Sequence, residues 1–219
     1  MHIWAVQVTM WGMSARGPYA KGVVKRSEIL DAALRIIARD GYSKATVKEL
    51  ADEVGLSQNG LLRYFGSKAE LFTEILRRRD EVDRQAYLAD DDGELIPNFA
   101  EPVMSLVAHN AAVPGFVHLY ARLANEAAEP DHPSYAYFRG RYQLLHARAE
   151  EAFANLQEGR AVEPGLDPEK LSVMMWALID GLQTQWMYDD TIDMPGILRE
   201  FFRALGMAPP ADVPTTDTP

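Results

Sequence analysis

Apolar side chains return at three- and four-residue steps along most of this chain, the spacing that gathers them on one face of a helix. Ile29, Leu30, Ala33, Leu34 and Ile37 do so across residues 27–40, and Val47, Leu50, Ala51 and Val54 just after. Leu61, Leu62 and Phe65 mark a third short helix over residues 58–65, and a long fourth runs from 67 to about 88. Further helices are predicted over 98–111, 115–128, 133–158, 168–188 and 194–205. Prolines and glycines at 114–115, 130, 133, 164–165 and 195–196 divide them. No alternating strand pattern competes and no internal repeat is present. The pattern predicts an all-α protein, with three short helices as a compact head and a larger helical body behind.

Residues 46–68 carry the most local information. Gly55 ends the second helix where the chain must turn, a conformation glycine adopts without steric cost. Ser57 follows as an N-cap for the third helix. Small Ala51 lets the two helices cross closely, Gly55 comes four residues later, and the aliphatic anchor Leu61 six after that, the spacing of a helix-turn-helix. An ordinary helical hairpin has similar ingredients, so the flanks matter. An amphipathic helix ending at Gly41-Tyr42 precedes the pair, and Ser67 with Glu70 three residues on forms a capping-box pattern at the start of the fourth helix.

Residues 26–72, RSEILDAALRIIARDGYSKATVKELADEVGLSQNGLLRYFGSKAELF, resemble the DNA-binding domain of the TetR (tetracycline repressor) family of transcriptional regulators. The resemblance rests on Ile29, Ala32, Ala33, Gly41-Tyr42, Thr46-Val47, Leu50-Ala51, Val54-Gly55-Leu56-Ser57, Leu61, Phe65 and Ser67-Lys68 taken together. Many members carry a tyrosine, used on a phosphate, where this chain has Leu62, and a histidine where it has Tyr64. Thr46 and Ser57, at helix starts, are candidates for phosphate contacts, and Tyr64 and Lys68 match family positions that hold the backbone. Gln58, Asn59 and Arg63 face outward and are the candidates for base edges, amides suiting adenine and a guanidinium guanine. Arg16, Lys21, Lys25 and Arg26 precede the first helix in a stretch with Gly17, Pro18 and Gly22. That stretch is expected to be either a flexible arm reaching phosphates or an adjacent minor groove, or a solvated basic leader.

The net charge of −10 runs against a nucleic-acid partner until it is divided along the chain. Residues 14–89 hold 14 Lys and Arg against 11 Asp and Glu, a net +3, and residues 90–219 hold 8 against 21, a net −13. Phosphate attraction depends on the local face, so an acidic body is compatible with a basic head. There is no cysteine, which excludes disulfides, thiolate metal sites and cysteine nucleophiles. No apolar run approaches the roughly 20 residues that cross a bilayer. The apolar start MHIWAVQVTMWGM lacks the basic leading region and cleavage pattern of a signal peptide; residues 1–12 are expected to be disordered or a mis-assigned start, with Met13 a plausible initiator. The expected organisation is a flexible arm over 1–22, a DNA-binding domain over 23–68, a ligand-binding and dimerisation domain over 69–206, and a disordered, proline-rich tail over 207–219. An acidic hinge, residues 90–93, is expected where the long fourth helix ends.

The last two helices are too apolar to be covered on one side only, and two copies can bury them against each other as a four-helix bundle. In the resembled family this pair is the dimer interface, which implies a cytoplasmic homodimer on a pseudo-palindromic DNA operator. The resemblance also implies a small-molecule effector in the body that releases a repressor from its operator. Phe99, Met104, Phe116, Tyr120, Tyr137, Tyr142, Trp176 and Trp186 offer aromatic and soft surface for a pocket, and Gln183, Asn125, Arg122 and His118 offer polar contacts. Taken singly, each is better read as core or interface packing, and only the set as a whole suggests a cavity. His109, His118, His132 and His146 lack metal-ligand spacing, no glycine-rich phosphate loop follows a strand, and neither a metal nor a cofactor is expected. Asp180, on an otherwise apolar helix, is expected to make a packing hydrogen bond or meet an arginine rather than act as a general base. Two other readings stay open: a DNA-binding dimer without a small-molecule effector, and a helical enzyme whose front end only resembles a DNA reader.

Overall fold

The computed structural model describes residues 18–88 and 99–207, and every regular element among them is helical. Nine α-helices follow in order: α1 (Pro18–Asp40), α2 (Val47–Glu53), α3 (Gln58–Leu62), α4 (Lys68–Asp83), α5 (Ala100–Ala112), α6 (Pro114–Glu126), α7 (Tyr135–Glu158), α8 (Pro168–Trp186) and α9 (Met194–Ala204). A 3₁₀ turn, Tyr42–Lys44, joins α1 to α2, and a π-helical turn, Arg84–Leu88, prolongs α4. The body helices lie within two residues of their predicted bounds.

Two elements differ from expectation. α1 starts nine residues earlier than the apolar pattern indicated, so residues 18–26 are helix rather than flexible arm. Proline is well tolerated at a helix start, where its missing N–H has no intrahelical partner to lose, and Gly22 inside α1 costs only about 1 kcal/mol against alanine. α3 is shorter than expected, ending at Leu62; the chain then tightens as Tyr64 and Phe65 donate to the carbonyls of Leu61 and Leu62. The expected disorder of residues 1–12, the acidic hinge 90–93 and all of the tail except Met207 lie outside the described residues.

Buried side chains fall into two clusters. The first joins α1, α2, α3 and α4 through Ile29, Ile37, Leu50, Ala51, Leu61, Leu71 and Ile75, and continues into Phe116, Leu119 and Tyr120 of α6 and Tyr137 and Phe138 of α7. The second lies in the body, where α5, α8 and α9 pack around Met104, Phe153, Met175, Leu198 and Phe202. The head is thus seated on the body by a shared apolar core. At the seat, Gly115 at the start of α6 lies against the end of α1, where a Cβ would run into the Ile37 carbonyl oxygen and come within 3.1 Å of Gly41 Cα. The buried Thr73 and Ser134 hydroxyls hydrogen-bond at 2.6 Å between α4 and the start of α7. No helix among the described residues is long and apolar enough to cross a membrane.

Candidate nucleic-acid interface and body cavity

The turn between α2 and α3 is built by hydrogen bonds that the sequence specifies. Leu56 N–H donates to the Ala51 carbonyl at 2.8 Å and Gly55 N–H to the Asp52 carbonyl at 3.2 Å, the paired closure of a Schellman motif. Gly55 occupies the left-handed region with φ 68°, which a residue bearing a Cβ enters only with strain. Ala51 is fully buried at the crossing. Thr46 caps α2 in a complete capping box: its hydroxyl accepts from Glu49 N–H, and the Glu49 carboxylate accepts from the Thr46 amide at 3.1 Å and hydroxyl at 2.6 Å. Those bonds hold the Glu49 carboxyl below its ordinary range. Ser57 caps α3 by accepting from Gly60 N–H at 3.0 Å. Ser67 accepts from Glu70 N–H at 3.1 Å, while the Glu70 carboxylate lies over Gly66 rather than returning the bond, so the expected capping box is half formed.

These caps fix one exposed surface. Thr46, Ser57, Gln58, Asn59, Arg63 and Lys68 are all exposed on it, and Tyr64 is half-buried against the head core. Lys68 opens α4 with its ammonium 5.8 Å from the Phe72 ring centroid. Lys44 and Lys48, exposed on either side of Thr46, add two cations that the motif reading passed over. Their signal was a lysine every four residues around a helix start. Lys25 and Arg26 do not belong with them. Both lie inside α1, where the Lys25 ammonium donates to Glu28 at 2.9 Å and to the Val54 carbonyl at the end of α2 at 3.0 Å. Arg26 pairs with Glu74 at 3.0 Å across the ring of Phe65. They hold α1 to α2 and α4, and the expected basic arm is not formed by these two residues.

The body contains a cavity of about 130 Å³ between α4, α5, α6, α7 and α8. Tyr120, Trp176 and Gln183 line it as anticipated. Phe99, Met104, Phe116, Tyr137 and Trp186 do not line it. Phe99 sits edge-on between Phe153 and Phe202, Met104 is fully buried, Phe116 lies under the Arg79 guanidinium at 4.1 Å, and Trp186 packs in the second core. Tyr137 faces an outer groove between α4 and α7. Arg122 pairs with Glu126 at the surface, His118 is exposed, and Asn125 donates to the Ala121 carbonyl beside an outer cleft.

The cavity wall is more charged than the sequence suggested. The Tyr137 hydroxyl donates to Asp80 at 2.6 Å and Arg141 Nε to the same carboxylate at 3.0 Å; Arg141 also donates to the Tyr120 hydroxyl at 3.2 Å. Tyr120 donates to Tyr142, and Tyr142 to Asp180 at 2.6 Å. This polar chain ties α4, α6, α7 and α8 together, and Asp180 is a packing residue within it. Burial pushes the Tyr120 hydroxyl up to about 12 and raises the Asp180 and Asp83 carboxyls. Burial lowers the pKa of Arg141, but Asp80 and the tyrosines outweigh it and the pKa rises. Arg79, buried on α4, donates to Asn110 and lies 3.1 Å from Asp83. Three consecutive arginines on one helix cannot all face water, since each residue turns the direction by about 100°. Arg77 lies over Tyr137, Arg78 reaches Asp31 of α1, and Arg79 turns inward.

A helix-turn-helix head on an all-helical body defines the class. Comparison with known proteins agrees with it at both ends. Residues 29–75 match the family described as bacterial regulatory proteins of the tetR family, and residues 119–205 match the C-terminal part of BetI-type transcriptional repressors. The HTH-type transcriptional repressor Rv1474c of Mycobacterium tuberculosis is 36% identical over 69 residues, covering 32% of this chain and 36% of that protein. The probable HTH-type transcriptional regulator ArpR of Pseudomonas putida is 26% identical over 187 residues, 78% of this chain and 84% of that one. The chain spans between about a third and two fifths of the length of the first curated repressors it matches. Among solved structures, a transcriptional regulator from Saccharomonospora viridis in complex with choline superposes with a TM-score of 0.66 at 20% identity, covering 83% of this chain and 95% of that one. The chain belongs to the TetR family of transcriptional regulators.

Proposed function

We propose that this protein is a homodimeric, cytoplasmic repressor, not an enzyme, that binds a pseudo-palindromic DNA operator through its head and leaves it when a small molecule occupies the body. The observation that carries the reading is the exposed surface held by the caps of Thr46, Ser57 and Ser67. Free amide N–H groups and unpaired cations meet there on the short helix that a major groove admits. Thr46, Ser57, Tyr64 and Lys68 are assigned to the phosphate backbone, with Lys44 and Lys48 beside them. Gln58, Asn59 and Arg63 are assigned to base edges.

Dimerisation is assigned to α8 and α9. Val173 and Met174 of α8, Tyr188 in the turn after it and Ile197 of α9 are exposed apolar or aromatic side chains, with Tyr188 89% exposed. A second copy of the same pair covers them and places two heads to read half-sites about one turn, roughly 10 bp, or a multiple apart. The test is selection of bound sequences from a random duplex library, with salt varied and the oligomeric state followed in parallel. Enrichment of a two-fold symmetric site is the expected result. Salt-driven binding without enrichment would sink the repressor reading.

A further inference from the structure

The cavity wall holds charges of both signs, and matching them one by one leaves a single guanidinium without an acid. Asp80 accepts from Arg141 and Tyr137. Asp180 accepts from Tyr142 and lies in the field of Arg141. Asp83 is 3.1 Å from Arg79. Each carboxylate on the wall therefore has a donor or a cation beside it. Arg84, which also lines the cavity, is taken by Glu81 at 2.9 Å.

One guanidinium and one N–H are left over. Arg79 is only 8% exposed, and its Nε–H, although near Asp83, is off the line a hydrogen bond requires and has no acceptor. Arg148 is half-buried on α7, seven residues from Arg141 and so on the same helical face, and among the described residues has neither an acid nor a hydrogen-bond partner. A buried N–H without an acceptor is among the more costly arrangements in a protein interior. Arg148 lines a cavity whose wall also carries the apolar side chains of Leu106, Trp176 and Ile179.

On the reading that the body holds an effector, we infer that this effector is a small organic monocarboxylate, its carboxylate taken by Arg148 and its apolar body laid against Trp176 and Ile179. A guanidinium presents a planar fork of donors that a carboxylate accepts in kind. A cation has no such vacancy, because the carboxylates are engaged. A volume of about 130 Å³ is well below the ~300–1,000 Å³ of sites for drug-sized ligands, so the acid is small.

The experiment measures thermal unfolding and calorimetric binding of the full chain with benzoate and hexanoate. The matched amides, benzamide and hexanamide, and choline serve as controls. The acids are expected to raise the melting temperature and the amides and choline to leave it unchanged. Arg148→Met, which removes a side chain without protein partners, is expected to melt like the wild type when unliganded and to bind the acids at least about tenfold more weakly. Stabilisation by choline or by the amides equal to that by the acids, no binding of either acid, or unchanged affinity in Arg148→Met would each overturn the inference. Operator selection distinguishes the two readings. Selective DNA binding without acid binding removes the carboxylate and keeps the regulator. Acid binding without selective DNA binding keeps the site and removes the regulator.

Discussion

At the scale of single residues, the head separates cations that hold the fold from cations that face outward. Lys25 and Arg26 already have protein acceptors, whereas Arg63 and Lys68 are exposed without one among the described residues. Lys68→Ala is expected to weaken binding to every duplex alike and to reduce the salt slope by about one, as for one phosphate contact; a titration series at several salt concentrations reads it. Arg63→Ala is expected to cost ~1–3 kcal/mol at the selected site and little on random DNA. Equal losses on both would remove its base-reading role. Gly115 makes a different kind of prediction. Its Cα lies so close to the end of α1 that Gly115→Ala must displace either the Ile37 carbonyl or α6. A loss of ~1–3 kcal/mol in urea unfolding is expected, the usual cost of overpacking a fixed backbone. A variant as stable as the wild type would mean that the seat between head and body is loose.

At the scale of elements, α4 is the member that both halves share. Its first half buries Leu71, Phe72, Ile75 and Leu76 under the head, and its second half turns Arg79, Asp80 and Asp83 to the cavity. Asp80 is the tie between α4 and α7, through Arg141 and Tyr137. Asp80→Asn leaves the buried Arg141 guanidinium without its carboxylate. It is expected to destabilise by about 1–2 kcal/mol, discounted because the Asp80 side chain is partly open to solvent. If this tie also passes the state of the cavity to the head, the variant's operator affinity will change less on effector binding than the wild type's. Coupling energies of ~1–3 kcal/mol correspond to ~5–150-fold in affinity, so a binding assay with and without effector resolves the difference. The sequence made α4 legible as a long helix, because its apolar residues recur on one face. It did not show which arginine of three turned inward. That choice depends on Asp31, Phe116 and Asn110, which lie on other helices.

At the scale of the whole molecule, the exposed apolar residues of α8 and α9 form the proposed dimer face. Met174→Lys places a charge in the middle of this face, where a monomer tolerates it at 56% exposure and a dimer does not. Sedimentation is expected to report a particle near 24.5 kDa, with binding to a single half-site retained and the gain from the second half-site lost. A Met174→Lys protein that still sediments as a dimer would move the interface elsewhere.

What the sequence determined by itself was local. Gly55, Ser57, Ala51 and Leu61 specify the helix-turn-helix because each acts on the backbone within a few residues of itself, through a left-handed turn, a cap, a close crossing and an anchor. The bounds of α5 to α9 were legible for the same reason: proline and glycine act where they stand. The start of α1 was misjudged because a glycine and a proline read locally as breakers, although proline is compatible with a helix start. Everything that depends on which side chains meet from distant helices was decided by tertiary structure alone. Only there do Lys25 and Arg26 find acceptors, do six of the eight aromatic and soft residues expected in the pocket lie outside the cavity wall, and does the Asp80–Arg141–Tyr120–Tyr142–Asp180 chain form. Aromatic and charged residues pack in any direction a helix face offers them, and the partners that fix that direction are far away in the chain.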